Sequence, residues 1–255
     1  MYKICSLFAG VGGIDLGFLG TDKCQITYAN EFDNYAVKTY EKNFNHAVDC
    51  RDIHDVKLEE IPEFDIMIGG FPCTSFSVAG YRKGFEDDKS GDLFFEMERI
   101  FKERKPRVIF LENVKNLVGH DRGNTFKTVI KCLEDAGYKD KIKCQVLNAC
   151  EYGDVPQNRE RIYIVAFRDK KDFEKFEMPL PIPLNNSIKE VFNFETKVDD
   201  KYYYTDGKYK GNIYKLLSAE MDDDNTVYQW RRQYVRKNQS NLVPTLTANM
   251  GEGRT

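Results

Sequence analysis

The feature that most constrains this chain is an alternation. Short, largely apolar runs at residues 3–8, 25–30, 64–68 and 108–111 are separated by stretches with helical periodicity. Runs this short and this apolar suit strands covered on both faces, and a helix returning between successive strands sets them parallel. The reading is an α/β fold with a doubly wound, mostly parallel sheet. In such sheets ligands bind outside the carboxyl ends of the strands, so chemistry is expected in the turns that follow each run.

Local signals sharpen the boundaries. Residues 9–13 form a glycine turn and 14–19 start the first helix. Asp33 stands where an N-cap is needed for a helix carrying Tyr35, Val37, Tyr40 and Phe44. The spacing of Leu93, Phe94, Met97, Ile100 and Phe101 predicts an amphipathic helix that Pro106 stops. Phe126, Val129, Ile130 and Leu133 predict another, ending at a C-cap on Gly137. Residues 141–147 and 161–167 read as strands that pair as a hairpin-like unit around 152–160. After about residue 169 the character changes. Residues 178–183 are a proline-rich connector, 199–210 is polar and tyrosine-rich, and helical periodicity weakens. The expected organisation is a larger domain over 1–170, then a connector and part of a smaller domain over 171–255, without internal repeats.

Composition excludes several classes. The N-terminus lacks the basic start, unbroken apolar core and cleavage site of a signal peptide, and no apolar run approaches the roughly 18 residues that span a bilayer. A cytoplasmic protein with no membrane association is expected. Seven cysteines contain no C-x-x-C pair, and with three histidines nothing has zinc-ligand spacing, so no metal is expected. In a reducing compartment most of these cysteines are small buried hydrophobes. The net charge is −3 but uneven: residues 226–255 hold five basic residues, Arg231, Arg232, Arg236, Lys237 and Arg254, against Glu252 alone. An acidic body with a basic end fits a protein that touches phosphates through one local surface.

Three places carry chemistry. In Phe8-Ala9-Gly10-Val11-Gly12-Gly13 the glycines let the backbone approach a ligand, and Glu31, at the end of the next run, sits where doubly wound folds hold a ribose. Asp52-Ile53 lies where a third strand end contacts an adenine. The dinucleotide pattern wants glycine at the sixth position from Gly10, which is Asp15 here. A carboxylate there is a poor neighbour for pyrophosphate, which favours S-adenosylmethionine over NAD, although a merely tight turn also fits. Next, Gly69-Gly70-Phe71-Pro72-Cys73 follows a buried run directly, so Cys73 stands exposed at the sheet's crest, a structural loop cysteine or a nucleophile. Finally, Glu112-Asn113-Val114 ends another run at the same crest. In an extended segment, Arg159 and Arg161 of Gln157-Asn158-Arg159-Glu160-Arg161 share one face, suited to a phosphate or a developing anion.

In this order and spacing, Phe-Ala-Gly-x-Gly-Gly, Pro-Cys, Glu-Asn-Val and Gln-x-Arg-x-Arg resemble the bacterial DNA cytosine-5 methyltransferases of restriction–modification systems. The resemblance runs from about residue 3 to 167 and thins afterwards. Residues 244–251 and 229–232 look like that family's target-recognition region. The resemblance implies a Rossmann-like S-adenosylmethionine-dependent methyltransferase fold, a catalytic and cofactor-binding first domain, and a partial target-recognition domain. It gives Phe8, Gly10, Gly12 and Gly13 to the methionine part of the cofactor, Glu31 to its ribose, and Asp52 and Ile53 to its adenine. Phe32 and Pro72 join the cofactor contacts, with S-adenosylhomocysteine as product. Cys73 becomes the nucleophile, Glu112 the contact to cytosine N3 and the exocyclic amine, and Arg159 and Arg161 the anchors around a flipped nucleotide. Ser77, Arg231, Arg232, Arg236, Thr245 and Leu246 become contacts to duplex DNA, and 79–90 a lid. The chain ends without the Gly-Asn-Ser-Val-type segment of that family, so a missing C-terminal segment or a second polypeptide is expected to complete the fold. An RNA cytosine-5 methyltransferase, a non-catalytic DNA-binding subunit and an NAD-dependent enzyme remain as alternatives.

Overall fold

The computed structural model describes residues 1–72, 93–193, 195–208, 212–223, 226–231, 233–238 and 242–246. The described chain divides into two compact units. The first comprises Met1–Val146 and Arg161–Met178, the second Leu147–Glu160 and Pro179–Thr255. Residues 147–160 thus group with the later part of the chain.

The first unit is built on the expected sheet. Its strands are β1 (Tyr2–Leu7), β2 (Cys24–Asn30), β3 (Ile66–Gly69), β4 (Val108–Val114), β5 (Ile142–Asn148) and β7 (Glu160–Phe167), in the order β2-β1-β3-β4-β7-β5. β1 pairs in parallel with β2 and β3, and β3 with β4, whereas β7 runs antiparallel to β4. β5 and β7 are neighbours, and the Phe167 N–H donates to the Lys141 carbonyl at 2.9 Å, as the hairpin-like reading anticipates. β4 is longer than its apolar run, because antiparallel pairing with β7 extends it through Glu112, Asn113 and Val114. Glu112 therefore lies inside a strand rather than after it.

Helices cover both faces. α1 (Gly13–Leu19) packs with Phe18 edge-on to Phe110 of β4, ring centroids 5.4 Å apart, over a small cluster of Ile4, Cys24, Ile66 and Ile68. The larger core lies opposite, under α3 (Leu93–Arg104) and α4 (Asn124–Leu133). The periodic residues Phe94, Met97, Ile100 and Phe101 of α3 are fully buried there. Burial of each large side chain of this kind is worth about 1.5–3 kcal/mol. α2 (Asn34–Asn43) starts at Asp33, whose carboxylate accepts from the backbone N–H groups of Tyr35 and Ala36 at 2.7 and 3.2 Å. α4 runs on into a wide turn, Glu134–Tyr138, inside which Gly137 takes φ +101.

Asp52 and Ile53 do not stand at the end of a strand. Residues 49–51 make a single parallel bridge, Asn30↔Asp49, and Asp52 caps a 3-10 turn over Ile53–Asp55. The Asp52 carboxylate accepts from the His54 N–H at 3.0 Å, which turns the chain away before a ladder develops.

The second unit contains short pieces. β6 (Gln157–Asn158) pairs in parallel with β10 (Val243–Pro244), and β8 (Tyr228–Arg231) with β9 (Tyr234–Lys237) as an antiparallel hairpin. Its longest described helix, α5 (Ile213–Glu220), buries Ile213 and Leu217. The proline-rich connector is tied down at Ile182, whose N–H donates to the Glu151 carbonyl at 2.8 Å, and just after it the Asp154 carboxylate accepts from the N–H groups of Asn185 and Asn186 at 2.6 and 3.0 Å. No described helix is long and apolar enough to cross a membrane.

Candidate active site

Strand register places the chemistry on one edge. Asn30, Leu7, Gly69 and Leu111 pair in a row across β2, β1, β3 and β4. The glycine turn, Glu31 and the 70–72 segment follow immediately, and Glu112 is the next residue of β4, so all lie at the carboxyl edge, where open α/β sheets bind ligands. β7 enters from the same edge because it is antiparallel, which brings Arg161 opposite Val114.

The turn after β1 is held in an unusual conformation. Phe8 has φ +54, Gly10 φ +56 and Gly12 φ +87. A non-glycine residue in the left-handed region is strained, and such strain clusters at functional sites. The Gly10 N–H donates to Glu31 Oε2 at 2.8 Å, and Glu31 Oε1 accepts from the Asp33 N–H at 2.8 Å. Glu31 is thereby fixed beside the turn, with Phe32 largely exposed next to it. A Cβ on Gly10 or Gly13 would meet nothing within 4 Å, so the backbone there faces open space.

Asp15 does not face that space. It is buried and accepts from Ser6 Oγ at 3.0 Å and from Tyr40 Oη at 2.8 Å. Burial raises its carboxyl pKa, against the two hydrogen bonds. The argument for one cofactor over another from a carboxylate at the sixth position therefore fails: α1 turns that position into the core.

The Glu112 site was only partly visible in the sequence. Glu112 Oε1 forms an ion pair with Arg161 Nε at 2.8 Å, both side chains being more than four-fifths buried. The pair arises from register: Glu112 lies opposite Tyr163 and diagonal to Arg161, on the same face. The other oxygen sits over Gly70, where a Cβ would come within 3.2 Å of Oε2. Gly69 is equally constrained, because its Cβ would lie 2.5 Å from Met97 Cε. Two adjacent glycines thus let the Pro72 segment pass close beside Glu112. Asn113 completes the arrangement by donating from Nδ2 to the Phe71 carbonyl at 2.6 Å, which anchors the residue before Pro72. Gly70 and Asn113 stand within motifs read from the sequence, which gave neither of them a role of its own. Cys73, Ser77 and the 79–90 lid segment lie outside the described residues.

Arg159 and Arg161 do not continue one strand. The extended segment is interrupted at Arg159, which lies between β6 and β7 and belongs to the second unit. Its N–H donates to Asn148 Oδ1 at 2.9 Å and its carbonyl accepts from Ala149 N–H at 3.1 Å. Thr245 docks beside it, donating from Oγ1 to the Asn158 carbonyl at 2.8 Å, and Leu246 is exposed. In the β8–β9 hairpin, pairing of Gln229 with Arg236 and Arg231 with Tyr234 puts these four side chains on one face. Lys237 is on the other face, ion-paired to Asp222 at 2.7 Å. The basic segment read from the sequence is thus partly neutralised by the acidic residues just before it. Arg232 lies outside the described residues. Among the described residues no group of three or more His, Cys, Asp or Glu is arranged to hold a metal.

A family model described as C-5 cytosine-specific DNA methylase matches residues 2–254. The type II methyltransferase M.Bsp6I of Bacillus sp. (strain RFL6) is 57% identical over 253 residues, 99% of this chain and 79% of that protein. M1.ScrFI of Lactococcus lactis subsp. cremoris is 44% identical over 213 residues, 83% of this chain but only 53% of that protein. A solved structure of Spodoptera frugiperda DNMT2 shares the fold, with a TM-score of 0.61 at 23% identity over 79% of this chain and 62% of that one.

Proposed function

Because this chain belongs to the C-5 cytosine-specific DNA methylase family, we propose that it methylates C5 of cytosine in a specific duplex sequence, as the modification enzyme of a restriction–modification system. The observation that carries this reading is the Glu112 carboxylate, held between Arg161 and Gly70 three residues before Cys73. A segment or second polypeptide supplying the length that the relatives carry beyond the match is part of the proposal, as is a cytoplasmic site of action beside the DNA.

The proposed cofactor is S-adenosylmethionine, which when bound supplies an electrophilic methyl group and leaves as S-adenosylhomocysteine. The open backbone at Gly10 and Gly13 and the acceptor-only carboxylate of Glu31 suit a nucleoside diol beside an extended chain. Phe8, Gly10, Gly12 and Gly13 would hold its methionine part, Glu31 its ribose, Phe32, Asp52 and Ile53 its adenine, with Pro72 closing from the next segment.

The chain's own residues prepare the base. The Cys73 thiolate adds to C6, forming an S–C bond and moving the C5–C6 π electrons into the ring, where Glu112 stabilises the adduct at N3. C5 is thereby made nucleophilic. Once C5 carries the methyl group, loss of its proton restores the double bond and expels the thiolate. Four other cysteines suit this role poorly: burial pushes the Cys5 thiol well above its ordinary value, Cys132 to about 12, and also raises Cys144 and Cys150. Arg161 orients Glu112, and Arg159 anchors the nucleotide. The base must be rotated out of the stack at a cost of roughly a few kcal/mol. Arg231, Arg236, Tyr234 and Gln229 on one hairpin face, with Arg232, Ser77, Thr245 and Leu246, supply the duplex contacts.

Expression of the chain in a host, followed by digestion of recovered plasmid with methylation-sensitive endonucleases, tests the reading. Protection at one recurrent sequence is expected. Cleavage throughout the panel, with methyl transfer to RNA alone in vitro, would overturn it.

A further inference from the structure

Asn30 is the last residue of β2 and is 1% exposed. Three segments meet on it. Its backbone carbonyl accepts from the Ala9 N–H of the glycine turn at 3.0 Å. Its side-chain amide donates both protons outward, to the Asp49 carbonyl at 3.0 Å and the Arg51 carbonyl at 2.9 Å. The residue after it is Glu31, whose N–H donates to the same Asp49 carbonyl at 3.1 Å and whose carboxylate accepts from Gly10.

The chemistry of the position selects an amide. Two carbonyl oxygens converge on one buried point, which calls for two donors without a charge. Aspartate would present acceptors to acceptors, and serine has a single donor. Backbone pairing with β2 holds Asp49 alone, through the Ala29 carbonyl and the Glu31 N–H, and does not extend to Arg51. The Asn30 amide takes the place of the missing ladder, and the chain then proceeds directly to Asp52 and Ile53.

We infer that Asn30 is a positioning residue for the cofactor, fixing the segment that leads to Asp52 and Ile53 against Glu31 and the glycine turn. The inference rests on the cofactor reading above. It places Asn30's effect on cofactor affinity and not on the cytosine chemistry, which belongs to β3, β4 and β7. A weaker, outer tether on the same segment is Tyr28, whose hydroxyl donates to Asp49 Oδ2 at 2.8 Å.

The test is calorimetric binding of S-adenosylhomocysteine to the full chain, with steady-state rates and apoprotein unfolding alongside. Asn30→Asp, which keeps the volume and removes both donors, should weaken binding roughly ten- to a hundredfold, as expected for two buried acceptors left without donors. KM for S-adenosylmethionine should rise by a similar factor, while kcat at saturating cofactor falls less than about threefold. Unchanged binding in a folded Asn30→Asp chain would overturn the inference, as would a fall in kcat at constant KM. If Asn30→Asp does not fold, Tyr28→Phe decides: binding weakened by about three- to tenfold supports the inference and unchanged binding overturns it. Failure of the unsubstituted chain to bind S-adenosylhomocysteine would instead remove the cofactor reading itself.

Discussion

Gly12→Ala and Gly10→Ala should separate the structural from the binding role of the glycine turn. At Gly12 a Cβ would lie 2.2 Å from Cε2 and 2.7 Å from Cζ of Phe44, on a backbone with φ +87. The left-handed conformation costs an L-residue about 1–2 kcal/mol. Forcing a methyl group into packed side chains costs about 1–3 kcal/mol more. Phe44 does not yield easily, because its ring packs on Tyr40 with centroids 4.5 Å apart and Tyr40 is fixed by its hydroxyl on Asp15. The expected loss is therefore about 2–5 kcal/mol. At Gly10 the backbone is also left-handed, but a Cβ would meet no atom within 4 Å, so only the conformational part, about 1–2 kcal/mol, applies. That Cβ would project into the space assigned to the cofactor. Urea unfolding of apoprotein and calorimetry with S-adenosylhomocysteine read the two effects. Gly12→Ala should lose mainly stability, and Phe44→Leu added to it should restore the steric part alone. Gly10→Ala should lose mainly affinity. A Gly12→Ala chain within about 1 kcal/mol of the parent, or one more stable than Gly10→Ala, would refute this account of the turn.

Asp15 predicts a pH effect. Burial raises its folded pKa, so its contribution to stability is present below the unfolded value and is lost as pH rises through the folded one. Asp15→Asn should therefore gain stability over the parent progressively as pH rises above the ordinary carboxylate range, and urea-unfolding results that keep the same difference at every pH would count against it. Arg231→Ala and Arg236→Ala should each weaken DNA binding and reduce its salt slope by about 1, measured by fluorescence anisotropy. Lys237→Ala should change little, because Asp222 already holds that cation; equal effects from all three would remove the hairpin face from the interface. Glu112→Gln should lower kcat by at least about tenfold while cofactor affinity stays within about threefold, and equal losses in both would place Glu112 in the wrong pocket.

The sheet and the four helices α1 to α4 were legible because their signals are local. The helix cap at Asp33 and the four buried positions of α3 follow directly from cap chemistry and periodicity. What was hidden depends on pairing partners distant in sequence. The extension of β4 through Glu112 comes from β7, and the Glu112–Arg161 pair is a diagonal of that ladder. The inward turn of Asp15 depends on Ser6 and Tyr40, 9 and 25 residues away. That Asp52 does not end a strand reflects a cap it makes with its own neighbours. Motifs thus pointed to the edge where the candidate site residues gather, but not to which of them brace one another.

Covalent capture tests the central claim most directly. Duplex DNA with 5-fluorocytosine at every cytosine, incubated with the full chain and S-adenosylmethionine, should yield an adduct that survives denaturation, since fluorine at C5 cannot leave as a proton does. Mass spectrometry should locate the bond on Cys73, and Cys73→Ala protein should form no adduct while still binding S-adenosylhomocysteine. An adduct on another cysteine, or one formed by the Cys73→Ala chain, would contradict the account.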